Sequence, residues 1–342
     1  MAARSRLGTV VRRLGQALPA LFGVIVVTFI LTRALPGDPA AYFAGPAADE
    51  KSIAQIRTAL GLDRSLPEQF WLYLKSLAQG ELGQSISTGQ PVVEELLRRL
   101  PASLELTLFA LLLSILIAVP MGVLAATHPG RPIDHICRFV ATAGVSLPTF
   151  FTGLAMVFVF YYLLGWAPSP LGRIDLAYLP PEHITGFYVV DALLAGDGET
   201  AWAALAQLML PAITLALFTL APITRMTRAS MLQVLSSDFI RTARAAGLSR
   251  AKVLGAYAFR NALLPVITTL GMVFSFTLGA NVLVEKVFAW PGIGSYAVEA
   301  LVVSDYAAVQ GFVLSMAVMF VVLNLLIDIL YTLIDPRIDL GD

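Results

Sequence analysis

Six stretches of the sequence contain no Asp, Glu, Lys or Arg and are each long enough to cross a lipid bilayer. A spanning helix needs about 20 mostly apolar residues, and one ionised residue at its centre costs roughly 2.5–3.5 kcal/mol on insertion. The six stretches therefore predict an all-α integral membrane protein with six transmembrane helices. They are Leu14–Thr32, Leu106–Thr127, Phe139–Gly172, Thr200–Thr224, Asn261–Val284 and Tyr306–Ile327.

Composition supports the membrane prediction and excludes several classes of function. Hydrophobic residues make up 57% of the 342 positions and charged residues 13%, against roughly 45–50% and 25% in soluble domains. Cys137 is the only cysteine, so the chain has no internal disulfide and no cysteine cluster. The three histidines lie in predicted loops without other ligands at useful spacing, and the net charge of zero gives no indication of nucleic-acid binding. We expect no catalytic, cofactor or metal site.

Basic residues in the connecting segments predict the orientation in the membrane. Residues 1–13 carry four Arg and no acid, and residues 225–260 carry seven basic residues against Asp238 alone. Both segments therefore belong in the cytoplasm. Residues 35–102 and 173–199 have more acidic than basic residues and are predicted to be external. Six spans with both termini in the cytoplasm satisfy every segment.

The spans and their connections predict four regions along the chain. The first is the N-terminus with the first transmembrane helix, which we expect to be retained because no clear signal-peptide cleavage site follows it. The second is an external helical segment whose amphipathic pieces are Asp49–Leu60, Leu66–Leu77 and Pro91–Leu100. A five-helix core with an external insertion and a cytoplasmic coupling loop follows, and then a cytoplasmic tail. The predicted bounds are 1–34, 35–102, 103–335 (insertion 165–204, coupling loop 225–262) and 336–342.

Residues 237–249, called the coupling segment below, have the pattern of a short helix with defined ends. Ser237 is a candidate N-cap, and Asp238 would lie at the positive end of the helix. Gly247 stands where a left-handed residue would end the helix. Ser249 can cap a second helix that runs to Asn261.

The side chains of this short helix predict a surface element. Phe239, Ile240, Ala243 and Ala246 share one face, and Arg241 is offset from it. Such a helix could dock into a groove on a partner protein. It could equally lie on the lipid headgroups, held there by its arginines.

The same segment carries a resemblance to a known family. Arg-Thr-Ala-Arg-Ala-Ala-Gly-Leu-Ser at 241–249, followed by Arg-Asn-Ala-Leu-Leu-Pro at 260–265, resembles the coupling-loop motif of ABC importer permeases. Ala243 and Gly247 match the general motif, whereas Arg241 and Thr242 replace its leading Glu and first Ala. These departures and the longer distance from Gly to Pro resemble the dipeptide/oligopeptide branch.

Further motifs similar to those of the peptide branch occur in order along almost the whole chain. Each is weak alone, but together they strengthen the resemblance. They are Leu-Pro-Gly-Asp-Pro at 35–39, Gly-Glu-Leu-Gly-Gln-Ser at 80–85, Arg-Leu-Pro-Ala-Ser-Leu-Glu-Leu at 99–106, Phe-Ala-Trp-Pro-Gly-Ile-Gly at 288–294, Asp-Tyr at 305–306 with Val-Gln-Gly at 309–311, and Asp-Pro-Arg-Ile at 335–338.

The resemblance implies a type I ABC importer permease fold and a non-catalytic membrane subunit. It implies a second homologous permease as partner in a heterodimer, two ABC ATPase subunits, an external substrate-binding protein and di- or oligopeptide cargo. ATP and magnesium would be bound by the ATPases, since the chain has no Gly-x-x-x-x-Gly-Lys-Ser/Thr phosphate loop. Nickel complexes, glutathione or another small solute remain alternative cargoes.

The resemblance also implies roles for three groups of residues. The ATPase contact would be Asp238, Phe239, Ile240, Arg241, Thr242, Ala243, Arg244, Ala245, Ala246, Gly247 and Leu248. Gly144, Ser146, Pro148 and Thr149 interrupt the third apolar stretch and are candidates for lining the pore, although small residues in membranes often serve helix packing. Trp290, Pro291 and Gly292 are candidates for an external gate or binding-protein contact, or for an aromatic interface anchor followed by a turn.

Overall fold

A computed structural model describes residues 2–34, 38–45 and 48–334. Within these ranges helices carry the fold, and the pairing between Gln84 and Pro91 is an isolated antiparallel bridge. Three predicted features lie wholly or partly outside the described residues. They are part of the motif at 35–39, the motif at 335–338 and the cytoplasmic tail at 336–342.

The helices follow one another with short connections. Two of them continue through a π-helical stretch, Val157–Leu163 after α7 and Val253–Phe259 between α11 and α12. The helices are α1 (Ala2–Ala34), α2 (Pro39–Ala44), α3 (Glu50–Ala59), α4 (Leu66–Ala78), α5 (Val92–Thr127), α6 (Pro132–Ala143), α7 (Thr149–Met156), α8 (Tyr188–Leu194), α9 (Gly198–Leu235), α10 (Asp238–Ala245), α11 (Arg250–Lys252), α12 (Arg260–Val287), α13 (Ile293–Val302) and α14 (Tyr306–Ile334).

Four helices of the described chain are long and apolar enough to cross a membrane by length and composition. They contain the second, fourth, fifth and sixth predicted spans, and they are Val92–Thr127, Gly198–Leu235, Arg250–Val287 and Tyr306–Ile327. Shorter apolar helices at Leu18–Ala34 and Thr149–Leu163 correspond to the first and third predicted spans. The prediction of an all-α membrane fold is confirmed.

The third predicted span is interrupted, which differs from the single apolar stretch Phe139–Gly172. Its first part belongs to α6, residues 144–148 are not helical, and α7 restarts at Thr149. Pro148 is the N-cap of α7. Because proline restricts the residue before it to extended conformations, it favours a helix boundary at this position.

The external helices confirm two predicted amphipathic pieces and correct the third. Helices α3 and α4 match the predicted pieces Asp49–Leu60 and Leu66–Leu77 within two residues at each end. The piece Pro91–Leu100 is not a separate helix, because α5 continues from Val92 through Pro101 to Thr127. One long helix therefore joins the external segment to the second span.

The chain divides into two compact units. One is formed within Met1–Pro101 and Pro291–Leu325, and its core contains Val92, Leu96 and Tyr296. The other is formed within Ala102–Trp290 and Leu326–Asp342. Its largest apolar cluster contains Leu106, Leu208, Leu215 and Trp290 from helices α5 and α9 and the end of α12.

The spanning helices differ in how much of their surface the chain itself covers. In the most apolar 18-residue window, α9 has 67% of its residues buried and α14 only 11%. Helix α9 is thus central to its unit, whereas most residues of α14 are only partly buried and several apolar ones, such as Phe320 at 52%, are exposed. A helix apolar on all sides needs lipid or another protein around it.

Candidate functional site

Helix α10 begins at the predicted position, but the side chain of Ser237 does not cap it as predicted. Ser237 has the extended backbone of an N-cap, with φ −75° and ψ 154°. Its hydroxyl donates to the Val234 carbonyl at 2.5 Å and makes no capping hydrogen bond to the helix. Asp238 lies in the first turn, where its charge favours the positive end of the helix dipole.

The end of α10 has the predicted left-handed glycine. Gly247 has φ +75°, and its N–H donates to the Arg244 carbonyl at 3.0 Å. The next N–H, from Leu248, donates to the Ala243 carbonyl at 3.3 Å. Two such bonds around a left-handed glycine form a Schellman motif, and the partly buried Leu248 side chain packs with Ala243 in one apolar cluster.

The helix after the coupling segment continues into the membrane, which the sequence did not predict. Ser249 caps it by accepting from the Lys252 N–H at 3.4 Å. The helical chain then runs without a break from Arg250 to Val287, so it does not stop at Asn261. The coupling segment is therefore followed directly by the helix that contains the fifth span.

The predicted apolar face of α10 is divided between the interior and the surface. Ile240 and Ala243 are buried against residues of α5, α9 and the helix after the segment, namely Ala126, Met231, Val253, Ala258 and Ala262. Phe239 is 45% exposed and Ala246 is exposed. The prediction that these four side chains form one docking face is wrong, because the chain's own helices cover two of them.

The outward side of α10 is mostly polar, and Phe239 is its one large apolar side chain. Asp238 and Arg241 form an ion pair one turn apart, with side chains 88% and 74% exposed. Thr242 and Arg244 are also exposed. The surface therefore offers one aromatic ring among charged and hydroxyl groups.

An apolar cleft opens beside the coupling segment. It has a volume of about 610 Å³ and lies between the cytoplasmic ends of α5 and α9 and the start of α11. Leu232, Leu235 and Leu248 contribute to its apolar lining, and Arg244 and Arg250 add positive charge. The cleft is large enough to receive side chains from another protein.

A buried ion pair holds the short 128–138 segment to α9, and the sequence reasoning missed it. Arg228 donates from Nε and Nη2 to the two carboxylate oxygens of Asp134, both at 2.7 Å, and the Gly130 N–H donates to Asp134 at 3.0 Å. The Asp134 side chain is 1% exposed. The hydrogen bonds from Arg228 lower the pKa of Asp134 to about 2. This ion pair was hard to predict from the sequence, because Asp134 is recognisable there only as the one acidic residue in a basic loop.

The residues predicted to line the pore lie at the break in the third span. Gly144 packs so closely against α9 that an added Cβ would come 2.4 Å from the Leu217 carbonyl oxygen. Ser146 is exposed and donates to the Thr142 carbonyl at 2.9 Å. Pro148 is exposed and Thr149 is partly buried. Gly144 thus serves helix packing, Ser146 and Pro148 lie on the exposed non-helical segment, and Thr149 is the first residue of α7.

The predicted external contact is corrected at Trp290. Its side chain is 1% exposed within the larger unit's apolar cluster. The indole N–H donates to the Ala102 carbonyl at 2.9 Å, so neither the ring nor its polar group is available to a partner. Pro291 is exposed, and Gly292 is buried as the N-cap of α13.

A second buried ion pair organises the external insertion of the larger unit. Arg173 pairs with Glu105 of α5 and donates to the Gly186 carbonyl at 2.7 Å. Glu105 also accepts the Val189 N–H at 3.0 Å, and the guanidinium lies 3.6 Å from the centre of the Tyr188 ring. Arg173 was recognisable in the sequence only as the one base in an acidic segment.

Two of the motifs that carry the family resemblance meet in the smaller unit. Ser85 donates to Asp305 at 2.6 Å, and the Ser87 N–H donates to the same carboxylate oxygen at 3.1 Å. Asp305 is fully buried. The motifs at 80–85 and 305–306 therefore form one structural clamp on the external side.

Among the described residues, no group of three or more His, Cys, Asp or Glu side chains could hold a metal ion. What the site offers instead is a mechanical connection. A surface helix is anchored by Ile240 and Ala243, and after the turn at Gly247 the spanning helix Arg250–Val287 begins.

Comparison with known proteins agrees with this arrangement. The family described as "Binding-protein-dependent transport system inner membrane component" matches residues 118–340, and the N-terminal domain of the same systems matches residues 7–107. The chain belongs to this family. It is an inner-membrane permease component of a transport system that depends on a binding protein.

Relatives of the permease extend over almost its whole length. It is 46% identical over 319 residues to the "Probable D,D-dipeptide transport system permease protein DdpB" of Escherichia coli (strain K12), covering 93% of this chain and 94% of the relative. It is 43% identical to the "Di/tripeptide transport system permease protein DppB" of Pseudomonas aeruginosa, and the match covers 97% of this chain and 98% of the relative. A dipeptide permease DppB of Alkalihalophilus pseudofirmus is 41% identical, with 96% and 98% covered.

Proposed function

We propose that this permease forms half of the membrane path of an ATP-driven importer of di- or oligopeptides. The proposal rests on the names of the chain's relatives, which are dipeptide, di/tripeptide or D,D-dipeptide permeases. These relatives are 41–46% identical to this chain over 93–97% of its length. The alternative cargoes, nickel complexes and glutathione, have no support among these relatives.

The partners follow from the same architecture. A second, homologous permease would complete the membrane path, and two ATPase subunits would bind ATP and magnesium below it. An external binding protein would deliver the peptide. The outward apolar surface of α14 supports a chain that is surrounded by lipid and by a second membrane subunit. This permease would itself be non-catalytic.

Helix α10 would be the contact with one ATPase subunit. Phe239 supplies the exposed aromatic ring, and Asp238, Arg241, Thr242 and Arg244 supply polar contacts around it. Aromatic residues surrounded by polar ones are frequent anchors of protein interfaces. Ile240 and Ala243 act from the other side, because they fasten the helix to the permease.

The coupling mechanism would use the continuous helix behind α10. When ATP draws the two ATPase subunits together, α10 would move with its ATPase, and the continuous helix from Arg250 to Val287 would carry that motion into the membrane. ATP shifts the equilibrium only if it favours one arrangement of the spans over the other. The Schellman turn at Gly247 and the Asp134–Arg228 pair keep the cytoplasmic region together during the motion.

The path itself would include the break in the third span. Ser146 and Pro148 lie on a segment without regular helix, and Thr149 begins α7 directly after it. Broken backbone in a membrane is tolerated where it lines a cavity or is buried in protein. Pro291 would face the external side, beside the buried Gly292.

The test of the cargo is ATP hydrolysis by the complete complex in lipid vesicles with the loaded binding protein. A mixture of di- and oligopeptides is expected to stimulate hydrolysis, and nickel chelates or glutathione are expected to leave it at the basal rate. Stimulation by a nickel chelate or glutathione, with no effect of peptide, would overturn the cargo and leave the permease architecture intact.

A further inference from the structure

Helix α4 in the external segment has two different apolar sides. Phe70 and Tyr73 are partly buried, whereas Leu66, Trp71 and Leu72 are 57%, 69% and 40% exposed. Its buried side packs within its own unit. Leu66 stands one turn before Phe70 and shares its face, whereas Trp71 and Leu72 lie on other sides of the helix and remain exposed.

The buried side of α4 shows how deep this helix lies beside the first span. The ring of Phe70 packs edge-on against Phe29 with centroids 5.1 Å apart, and Tyr73 stacks on Phe29 at 6.0 Å. Gln69 accepts a hydrogen bond from Arg33 Nε at 2.9 Å. Phe29 stands four residues before Arg33. It therefore lies about 6 Å further into the first span along the axis of α1.

Arg33 stands at the outer end of the first apolar stretch. It directly follows the charge-free stretch Leu14–Thr32. Its guanidinium lies 4.7 Å from the centre of the Phe29 ring and 4.9 Å from that of Tyr306, the first residue of α14. The outer ends of the first and last spans therefore meet at Arg33, and aromatic and basic residues typically mark such boundaries.

We propose that α4 lies in the outer membrane interface and that Trp71 and Leu72 contact the lipid of the outer leaflet. The inward neighbours of these residues, Gln69 and Phe70, contact Arg33 at the boundary and Phe29 below it. Amphipathic interfacial helices bury their apolar face about 5–10 Å below the headgroups. Phe29, which Phe70 contacts, stands about 6 Å inward of Arg33 along α1, which is within this range, and tryptophan is enriched at this level of membranes.

Two neighbouring features fit a phospholipid surface as the partner. The first span has exposed apolar side chains at this level, Ile30 at 58% and Leu31 at 60%, and such a surface suits contact with lipid. Lys75 is exposed one turn after Trp71 on the same side of α4. Its long side chain can place its ammonium group among the lipid phosphates. The external segment would thus be fastened to the membrane rather than held free in solution.

The test is spin labelling of the complete complex in vesicles of phosphatidylethanolamine and phosphatidylglycerol. Trp71→Cys and Leu72→Cys are labelled separately in a Cys137→Ala background, which removes the one native thiol. Collision of each label with oxygen, which concentrates in lipid, is compared with collision with a water-soluble nickel chelate. Ile30→Cys is the lipid reference, and Leu176→Cys, at a position 88% exposed in the external insertion, is the aqueous reference.

We expect oxygen to relax the spin labels at positions 71 and 72 more strongly than the nickel chelate does. The label at position 30 should respond in the same way. Adding the binding protein should not change this ratio. Labels that respond to the nickel chelate as position 176 does would overturn the proposal. So would labels shielded from both reagents, or shielded once the binding protein is added, because a protein would then cover this side of α4.

Discussion

Single residues of the cytoplasmic region act through charge and backbone conformation. Asp134 and Asp238 each pair with an arginine, but one pair is buried and the other lies in water. A buried carboxylate that loses its charge leaves its partner without compensation, whereas an exposed pair contributes little because water competes for both groups. The two aspartates therefore form a matched comparison.

Asp134→Asn is expected to destabilise the permease by about 2 kcal/mol, since charged hydrogen bonds to Arg228 are lost. The folded pKa of Asp134 is depressed to about 2. Its contribution to stability is therefore complete above about pH 4 and is lost as pH falls through about 2. Thermal unfolding in detergent, followed by tryptophan fluorescence as a function of pH, measures this.

The control for that experiment is Asp238→Asn, whose exposed pair should leave the unfolding temperature nearly unchanged. Equal destabilisation by the two variants would contradict the structural role assigned to the buried pair.

Gly247→Ala is expected to destabilise the permease by about 1 kcal/mol, because an L-residue at φ +75° is strained. An added Cβ meets no atom within 4 Å, so the cost is purely conformational. Gly255→Ala is the matched control, since its added Cβ also meets nothing and its φ lies outside the left-handed region. Unfolding temperatures should fall for position 247 alone, and Gly247→Asn should restore part of the loss.

At the scale of elements, neighbouring side chains of the short helix α10 have two different roles. Ile240 is fully buried and faces the permease, while its neighbour Phe239 is 45% exposed. The first side chain fastens the element and the second is available to a partner. Variants at these adjacent positions should therefore affect different properties.

Phe239→Ala is expected to leave thermal stability unchanged and to reduce peptide-stimulated ATP hydrolysis several-fold. Ile240→Ala should instead lower the free energy of unfolding by roughly 2–5 kcal/mol. Phe320→Ala, which truncates a 52% exposed ring on α14, controls for removing any exposed phenylalanine. Unimpaired stimulation in Phe239→Ala would show that the ring does not contact the ATPase.

The packing of α6 against α9 depends on Gly144. An added Cβ would lie 2.4 Å from the Leu217 carbonyl oxygen, a backbone atom that cannot rotate away. Gly144→Ala is expected to cost about 1–3 kcal/mol, as overpacking does, and to lower the unfolding temperature. Gly279→Ala, where an added Cβ meets nothing within 4 Å, should be tolerated. A tolerated Gly144→Ala would contradict the close approach of the two helices.

An element could be predicted when the interactions that form it lie within one short stretch of the sequence. Apolar length and glycine chemistry lie within short stretches, so the spans and the end of α10 at Gly247 were predictable. The burial of Ile240 depends on Ala126, more than a hundred residues away, and the Asp134–Arg228 pair joins positions 94 apart. The burial of Trp290 through Ala102 is equally non-local. Periodicity within one segment carries no information on such contacts.

The whole molecule combines helices that are long and apolar enough to cross a membrane with a surface helix, α10, which is followed after a turn by the helix of the fifth span. Family membership assigns it to a binding-protein-dependent system of the inner membrane. Its relatives' names support peptide cargo. The central claim is that α10 transmits ATP hydrolysis on a partner into peptide movement through this chain.

Accumulation of a radiolabelled dipeptide in proteoliposomes that contain the complete complex tests this claim most directly. The account predicts uptake that requires both ATP and the loaded binding protein, and that falls several-fold in Phe239→Ala while the complex stays assembled and Phe320→Ala remains active. Uptake that continues without ATP, or that proceeds at the wild-type rate in Phe239→Ala, would contradict it.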